Sequence, residues 1–296
     1  MKVFVTGASG FVGSAVVPEL LGAGHSVIGL VRSEAAAKSL TDAGAEALLG
    51  TLEDLDGLTR GAAAADGVIH TAFNHDFSKF AENSELDRVA IETLGAALQG
   101  TDRPLIVTSG AAAPTPGRPA TEDDPPMPTS PTYPRASEAT AMALAKSGVR
   151  ASVVGLPQVH NTVKQGLVSY LIAVAREKGV SAYVGDGANR WSAAHVLDVA
   201  HLYRLVLEKG KVGVRYHAVA EEGVPLREIA EAIGRGLKVP VVSLSPEEAG
   251  PHFGFLSAFA GLDLTASSAL TQQRLGWRPT GPGMIADLDR MTYFQK

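Results

Sequence analysis

The sequence predicts a doubly wound α/β fold, in which a mostly parallel sheet is covered by helices on both faces. Short apolar runs alternate with helical patterns through the first half of the chain. The runs are nearly continuous in Val, Ile and Leu, and a glycine-rich segment directly follows the first of them. Continuous apolar strands suit a sheet that is buried on both faces, and helices of this length can connect parallel strands by right-handed crossovers.

The predicted elements follow from the spacing of these patterns. The strand-like runs cover residues 2–6, 26–31, 45–49, 67–71, 104–109 and 150–156. The helical patterns between them cover residues 11–22, 34–43, 55–62, 84–98 and 134–146. After residue 157 the alternation becomes irregular, with helices near 163–178, 196–208 and 226–234. We expect one domain over residues 1–157 and, over residues 158–296, mainly a smaller irregular lobe from which some segments return to the first domain.

The composition argues against several classes of protein. The 296 residues include no cysteine, which excludes disulfides, thiolate catalysis and cysteine-ligated metals. The net charge of -5 gives no broad attraction to nucleic acid or to an anionic membrane surface. No apolar stretch approaches the roughly 20 residues that span a bilayer, and the N-terminus lacks a signal-peptide pattern. We expect a cytoplasmic protein with no nucleic-acid or membrane partner.

The glycine-rich segment Gly7–Gly13 has the pattern G-x-x-G-x-x-G between the first predicted strand and the first predicted helix. Gly7 would permit the turn, Gly10 would let the backbone approach a ligand, and Gly13 would let the helix pack closely on the strand. A helix N-terminus offers unpaired N–H groups and the positive end of its dipole to a pyrophosphate. In this context the pattern predicts a dinucleotide-binding loop, with a merely structural glycine turn as the alternative.

With the stretch Thr6–Gly13, the sequence resembles the extended branch of the short-chain dehydrogenase/reductase superfamily, which includes NAD-dependent epimerase/dehydratase-like proteins. Weaker matches follow at residues 50–54, 68–72, 107–109 and 155–157. The resemblance implies a Rossmann fold with a substrate-binding lobe over the carboxyl edge of the sheet. The cofactor contacts that we expect from it are Gly7, Ser9, Gly10, Phe11, Val12, Gly13, Leu52, Asp54, Thr71, Ala72 and Pro157.

The end of the second strand indicates which dinucleotide is bound. NAD-preferring Rossmann proteins place a carboxylate there, which accepts hydrogen bonds from the ribose hydroxyls. This chain has Arg32 and Ser33 instead. A guanidinium pairs bidentately with a 2′-phosphate that a carboxylate would repel, so we predict NADP(H) as the cofactor. In the alternative, Arg32 is a solvated surface charge and Glu34 contacts the ribose.

The resemblance also implies catalytic residues. It places a Ser or Thr at the end of the fifth strand, then a Tyr that exchanges a proton with the substrate, and a Lys four residues after that Tyr. Ser109 fits the first position and Tyr133 the second. The phenol of Tyr133 could instead be an aromatic anchor for the preceding loop, and Ser109 could merely terminate a strand.

The position four residues after Tyr133 departs from the pattern, because Ser137 stands where the Lys is expected. On the predicted helix 134–146, Arg135 would point away from Tyr133. Three alternatives follow. A cation from the second lobe replaces the Lys, the proton moves through water, or the protein is a poor or non-redox catalyst. Lys164 and His160 are the nearest candidates for a replacement; His160 could equally be a hydrogen-bonded loop histidine.

Two other features of the sequence bear on the site. Residues 111–131 contain seven prolines and must form a long loop, which is either a lid or substrate-binding segment or a disordered spacer. Its acidic run Glu122–Asp124 is interpreted as solvated. His70, His75 and Asp76 have no ligand spacing that completes a metal site, so no metal is predicted.

The predicted function is an NADPH-dependent oxidoreductase acting on a small to medium carbonyl compound or its alcohol, with Tyr133 as the proton donor or acceptor. The alternative is a non-catalytic NADP(H)-binding sensor of the NmrA-like type, which the missing Lys favours. A sugar-nucleotide epimerase is a weaker third possibility, because Arg32 and Ser137 both count against it. A homodimer through the helices at 84–98 and 134–146 is also expected from the resemblance.

Overall fold

A computed structural model describes residues 1–111, 115–131 and 133–291 of the chain. The strands are β1 Lys2–Thr6, β2 Ser26–Val31, β3 Glu46–Leu49, β4 Gly67–His70, β5 Leu105–Gly110, β6 Ala151–Leu156, β7 Gln158–His160, β8 Ser181–Val184, β9 Arg190–His195, β10 Arg215–His217, β11 Glu221–Pro225 and β12 Val241–Leu244. The helices are α1 Gly13–Gly22, α2 Glu34–Asp42, α3 Leu55–Ala63, α4 Phe80–Leu98, α5 Ser137–Lys146, α6 Val168–Lys178, α7 Val196–Lys209, α8 Leu226–Leu237, α9 Pro246–Phe253, α10 Ser257–Ala260, α11 Ala269–Leu275 and α12 Met284–Asp289.

The main sheet has seven strands in the order β10-β6-β5-β4-β1-β2-β3, and every neighbouring pair is parallel. Successive side chains of a strand point to opposite faces of a sheet. In β1, Val3 and Val5 belong to the apolar cluster on one face, and Phe4 belongs to the cluster on the other. The sheet is therefore buried on both sides, and the predicted doubly wound α/β fold is confirmed.

Helices cover both faces of this sheet. Helices α1 and α7 pack on one face together with Leu40 of α2, and α3, α4 and α5 contribute the apolar side chains of the other face. Strand β10 and helix α7 come from beyond residue 157, yet both pack with the first domain: β10 pairs with β6, and α7 contacts α1.

The remaining residues form a smaller second lobe. It contains a three-stranded sheet in the order β11-β9-β7 and a parallel pair, β12-β8. Its core includes Trp191, Ile229, Phe253 and Met284 and is separate from both clusters of the main sheet. In the described ranges of the chain, no helix is both long and apolar enough to cross a membrane.

Two predicted helices begin three or more residues later than expected. The helix predicted from residue 134 begins at Ser137, and Tyr133 ahead of it pairs with Ser130 through two backbone hydrogen bonds. The helix predicted from residue 163 begins at Val168, since the side chain of Asn161 accepts the N–H groups of Val163 and Lys164 and holds a loop there.

Candidate cofactor cleft and active site

The glycine-rich loop forms a tight turn between β1 and α1. Gly7 has a φ of 68°, which glycine adopts without strain. A Cβ at Gly7 would lie 2.8 Å from the backbone nitrogen of Ala72, and a Cβ at Gly13 would overlap the carbonyl oxygen of Gly7. Gly10 donates its N–H to that same oxygen at 2.8 Å. These contacts explain why three glycines recur here at intervals of three.

This loop fits the pyrophosphate of a dinucleotide. Helix α1 begins directly behind it, and no side chain caps its first turn. Ser9 and Gly10 are exposed, whereas Phe11 and Val12 are half-buried. An uncapped helix N-terminus behind exposed small residues leaves N–H groups and the positive end of the helix dipole accessible to an anion.

The residues at the predicted adenosine end lie at the ends of β2 and β3. Arg32 has an exposed side chain. The pKa of the nearby Glu53 carboxyl is lowered, mainly by hydrogen bonds from Thr51 and the backbone, and the charge of Arg32 makes the smallest contribution to this lowering. Ser33 caps helix α2, with its hydroxyl oxygen accepting the N–H of Ala36 at 3.2 Å. A cation next to a helix N-terminus is a suitable environment for a phosphate.

Five other predicted contacts lie after the strands of the same sheet. Asp54 caps α3 and accepts the N–H of Gly57 at 2.9 Å, and Leu52 is buried in the core. The hydroxyl of Thr71 donates to the carbonyl of Thr6 at 2.7 Å, which holds Thr71 and Ala72 against the glycine-rich loop. Pro157 is half-buried directly after β6.

A cavity of about 290 Å3 lies at the carboxyl end of β5, and both Ser109 and Tyr133 line it. Gly110 directly follows Ser109, and a Cβ built on Gly110 would lie 3.9 Å from the Tyr133 hydroxyl. The two residues are 24 positions apart in sequence, and the structure brings them together. A hydroxyl and a phenol that face one cavity can both hydrogen-bond to the same substrate oxygen.

Arg135 lines the same cavity. The expectation that it points away from Tyr133 is wrong, because both residues precede α5 and no helical geometry separates them. The guanidinium donates from Nε to the hydroxyl of Ser137 at 2.8 Å and from Nη2 to the carbonyl of Thr108 at 3.2 Å. Its carbon Cζ lies 4.2 Å from the centre of the Phe73 ring. The side chain is thereby held on three sides.

A buried chain of polar side chains leads from this guanidinium to the glycine-rich loop. Ser137 donates from its hydroxyl to Asp87 Oδ2 at 2.5 Å. Oδ1 of Asp87 lies 3.0 Å from Nε2 of His70, and Nδ1 of His70 lies 2.8 Å from the Thr6 hydroxyl. Asp87 and His70 are each 1% exposed, so each depends on these partners. The sequence did not predict this chain of contacts: Ser137 and Thr6 stood out only as motif positions, and His70 only as a rejected metal ligand.

Burial and the charges around the cavity together shift the pKa of two of these groups. Burial raises the pKa of the Tyr133 phenol; the charge of Arg135 lowers it, and those of Glu138 and Asp87 raise it, leaving it above its ordinary value. Burial also raises the pKa of Asp87, but the hydrogen bond and charge of His70, the charge of Arg135 and the hydrogen bond from Ser137 together lower it below its usual range. The Asp87 carboxylate is therefore ionised although it is buried.

The proline-rich loop forms the outer wall of the cavity. Residues 124–129 line it together with Glu138 and Arg215, which form an ion pair, and Arg215 also donates to the carbonyl of Asp124. Ala120 anchors the loop, because its N–H donates to Thr265 and its carbonyl accepts from Ser267. The described part thus forms one wall of the cavity; residues 112–114 lie outside the described residues.

The interpretation of Glu122 as solvated is wrong. This side chain is 5% exposed and accepts two hydrogen bonds of 2.6 Å from the backbone and hydroxyl of Thr271. The contact joins the proline-rich loop to α11, which is 149 residues away in sequence. The neighbouring Asp123 is exposed, as expected.

A series of partly exposed aromatic rings continues from Tyr133 to the second lobe. Phe80 makes an edge contact with Tyr133 at 6.1 Å between ring centres and with Phe77 at 5.5 Å. Phe77 stacks on Phe255 at 4.7 Å and meets Tyr170 edge-on at 6.0 Å. Rings from the two lobes thus meet beside the cavity, and they leave apolar surface accessible to a ligand.

The two second-lobe candidates for a cation lie in different surroundings. His160 is fully buried, its Nδ1 is 2.7 Å from Asp287 Oδ2, and it is not among the residues that line the cavity. Burial lowers its pKa, although Asp287 opposes the effect. Lys164 is exposed, with its Nζ 5.7 Å from the centre of the Phe11 ring at the glycine-rich loop. Within the described ranges, no three His, Asp or Glu side chains are grouped to hold a metal ion.

Comparisons with known proteins agree with this architecture. Residues 3–219 match the model of the NAD dependent epimerase/dehydratase family. An uncharacterized protein of Schizosaccharomyces pombe is 51% identical over 99% of this chain and 100% of its own length. The Stigmatella aurantiaca protein named 4-hydroxy-2-methyl-3-oxo-4-farnesyl-3,4-dihydroquinoline-1-oxide ketoreductase is 30% identical over 86% of this chain and 80% of its own.

A solved structure shows the same fold at lower identity. The dTDP-glucose 4,6-dehydratase DesIV from Streptomyces venezuelae, with NAD bound, has a TM-score of 0.78 at 21% identity, covering 99% of this chain and 96% of that one. The sheet order and its helices define an α/β protein of the Rossmann class. Since the family model matches well over half of its residues, the chain belongs to the NAD-dependent epimerase/dehydratase family.

Proposed function

We propose that the protein is an NADP(H)-dependent oxidoreductase that interconverts a small to medium carbonyl compound and its alcohol. The observation that carries the proposal is that Ser109 and Tyr133 line one cavity at the carboxyl edge of the sheet, with the Tyr133 hydroxyl close to Gly110. Open α/β sheets bind their ligands at this edge. The name of the Stigmatella relative, a ketoreductase, supports carbonyl chemistry.

In this proposal the chain's own residues orient the substrate and move one proton. NADPH, when bound, would supply a hydride to the carbonyl carbon. Ser109 donates a hydrogen bond to the carbonyl oxygen, and Tyr133 transfers its phenolic proton to that oxygen as negative charge develops there. A tyrosine phenol is protonated at neutral pH, and burial raises the pKa of Tyr133 further, so the proton that reduction uses is present.

The choice of NADP(H) over NAD(H) rests on the end of β2. Arg32 is exposed there and available to a 2′-phosphate, and the N-terminus of α2 begins two residues later. No carboxylate stands at position 32 or 33 to accept hydrogen bonds from an unmodified ribose. A planar guanidinium binds phosphate through two parallel N–H groups, which favours the phosphorylated dinucleotide.

The proposal is tested by following the hydride itself. Wild-type protein is incubated with NADPH deuterated at C4 on either face and with a panel of ketones and aldehydes, and the products are examined by mass spectrometry. The proposal predicts an alcohol that carries one deuterium at the former carbonyl carbon from one of the two labelled cofactors. Saturable NADPH binding without deuterium transfer to any compound would instead favour the non-catalytic sensor.

A further inference from the structure

We propose that Arg135 supplies the positive charge that acts on the Tyr133 phenol, and that Ser137 and Asp87 position it. The inference rests on the proposed role of Tyr133 as proton donor. The positive charge near the phenol then comes from a residue two positions after Tyr133, so that no cation from the second lobe is needed. Ser137, at the position where the family resemblance implies a lysine, then acts by holding a different cation.

The geometry around Arg135 supports this assignment. The residue shares the cavity with Ser109 and Tyr133, and its guanidinium is fixed by Ser137, by the carbonyl of Thr108 and by the ring of Phe73. Thr108 directly precedes Ser109 on β5. The contact with its carbonyl therefore ties the guanidinium to the strand that carries the substrate-binding hydroxyl.

Asp87 explains why the guanidinium stays in this place. Its carboxylate is buried, accepts from Ser137 at one oxygen and lies beside His70 at the other. A buried carboxylate is stabilised by hydrogen bonds and nearby positive charge; His70 contributes most to keeping the pKa of Asp87 low, and the charge of Arg135 adds to its effect. Ser137 transmits the constraint, because its single hydroxyl donates to Asp87 and accepts from Arg135. Asp87 and Ser137 are thus positioning residues.

The other charges that face this pair are few. Glu138 on α5 and Asp87 on α4 both raise the pKa of Tyr133, so Arg135 is the one cation among the groups that shift it in the described part of the chain. Arg135 and Lys164 both face His75, whose pKa is lowered by burial and by these two charges. Lys164 is therefore the competing candidate that an experiment must separate from Arg135.

The test measures the ionisation of the phenol without requiring turnover. A fluorinated tyrosine at position 133, whose intrinsic pKa is lower than that of tyrosine, is titrated by ¹⁹F NMR in the full-length protein. We expect Arg135→Gln to raise the pKa of this residue by about one unit, the lower end of the effect of a close opposite charge. Arg135→Lys should raise it less, because the charge remains and only the fixed fork geometry is lost.

Variants of Ser137 test the positioning without changing any charge. Ser137→Ala should raise the pKa of the fluorinated Tyr133 by part of the Arg135→Gln effect, and Ser137→Thr, which keeps a hydroxyl, should restore most of the wild-type value. Arg227→Gln in the second lobe is the control, because its side chain is exposed and pairs with Glu231 at 2.9 Å. It should leave the titration unchanged.

An unchanged titration in folded Arg135→Gln, or an equal shift in Lys164→Gln, would overturn the inference. Because the measurement needs no substrate, it gives an answer even where the deuterium experiment finds no turnover. The phenol can thus prove sensitive to Arg135 in a protein without reductase activity, or insensitive to it in an active reductase. The two proposals therefore fail separately.

Discussion

The carbonyl group of Gly7 lies directly against Gly13, so that a Cβ on Gly13 would be 2.8 Å from the carbonyl carbon of Gly7. The neighbour is backbone and cannot rotate away, so the start of α1 must shift to admit a methyl group. We expect Gly13→Ala to lower the free energy of unfolding by about 1–3 kcal/mol and to weaken NADPH binding by roughly tenfold or more. Thermal unfolding and fluorescence titration measure the two effects.

Gly22, at the other end of the same helix, provides the matched control. A Cβ there would meet no atom within 4 Å. Gly22→Ala should therefore leave NADPH affinity unchanged and stabilise the protein slightly, because alanine has the higher helix propensity. If Gly13→Ala bound NADPH as tightly as Gly22→Ala does, the loop would not be the pyrophosphate site.

Arg32 should decide the preference between the two dinucleotides. Arg32→Ala removes a charge-assisted hydrogen bond to the 2′-phosphate and is expected to weaken NADPH binding about tenfold or more, with little change for NADH. Lys38→Ala on the exposed face of α2, where Lys38 pairs with Asp42 at 2.7 Å, removes the same charge and serves as control. An equal loss of affinity for NADPH and NADH would show that Arg32 does not bind the 2′-phosphate.

Two buried histidines should make the fold sensitive to acid. Burial lowers the pKa of His160 and of His217 below the ordinary 6.5, so both are neutral in the native protein. Below pH 6.5 the unfolded chain gains protons that the native state does not bind, and stability is lost as the pH falls. Each histidine contributes at most about 1.4 kcal/mol per pH unit over this window.

The melting temperature of wild type between pH 7 and pH 5 therefore measures this loss. His160→Gln should lower the melting temperature at pH 7, because the bond to Asp287 is weakened, but it should also flatten the decline toward pH 5. His217 remains in that variant, so part of the slope should persist. A decline as steep as that of wild type would show that His160 does not contribute to it.

The sheet and the glycine-rich loop could be predicted because their signals are local. Strands such as Ser26–Val31 are continuous apolar runs, and the spacing of Gly7, Gly10 and Gly13 needs only the strand before it and the helix after it. The apolar positions of the main sheet follow from the same patterns. Element ends were less predictable, as the late start of α5 at Ser137 shows.

The surroundings of Tyr133 could not be predicted in the same way. Arg135 was assigned to the wrong face because the sequence pattern extends the helix back to Pro134, three residues before it begins. The contacts of Asp87 with His70 and Ser137 span 17 and 50 residues, and no local pattern reports such distances. One signal was present: Asp87 has helical spacing to the apolar residues of α4 that face the core. A carboxylate on a buried face must have partners.

The proposal depends most directly on the phenol of Tyr133. NADPH oxidation is measured on a carbonyl panel with wild type, Tyr133→Phe and Tyr183→Phe; Tyr183 lies in the second lobe on β8 and does not line the cavity. The account predicts that Tyr133→Phe loses about 100-fold or more in kcat, while NADPH affinity stays within about twofold and Tyr183→Phe behaves as wild type. Equal turnover by Tyr133→Phe and wild type would contradict it.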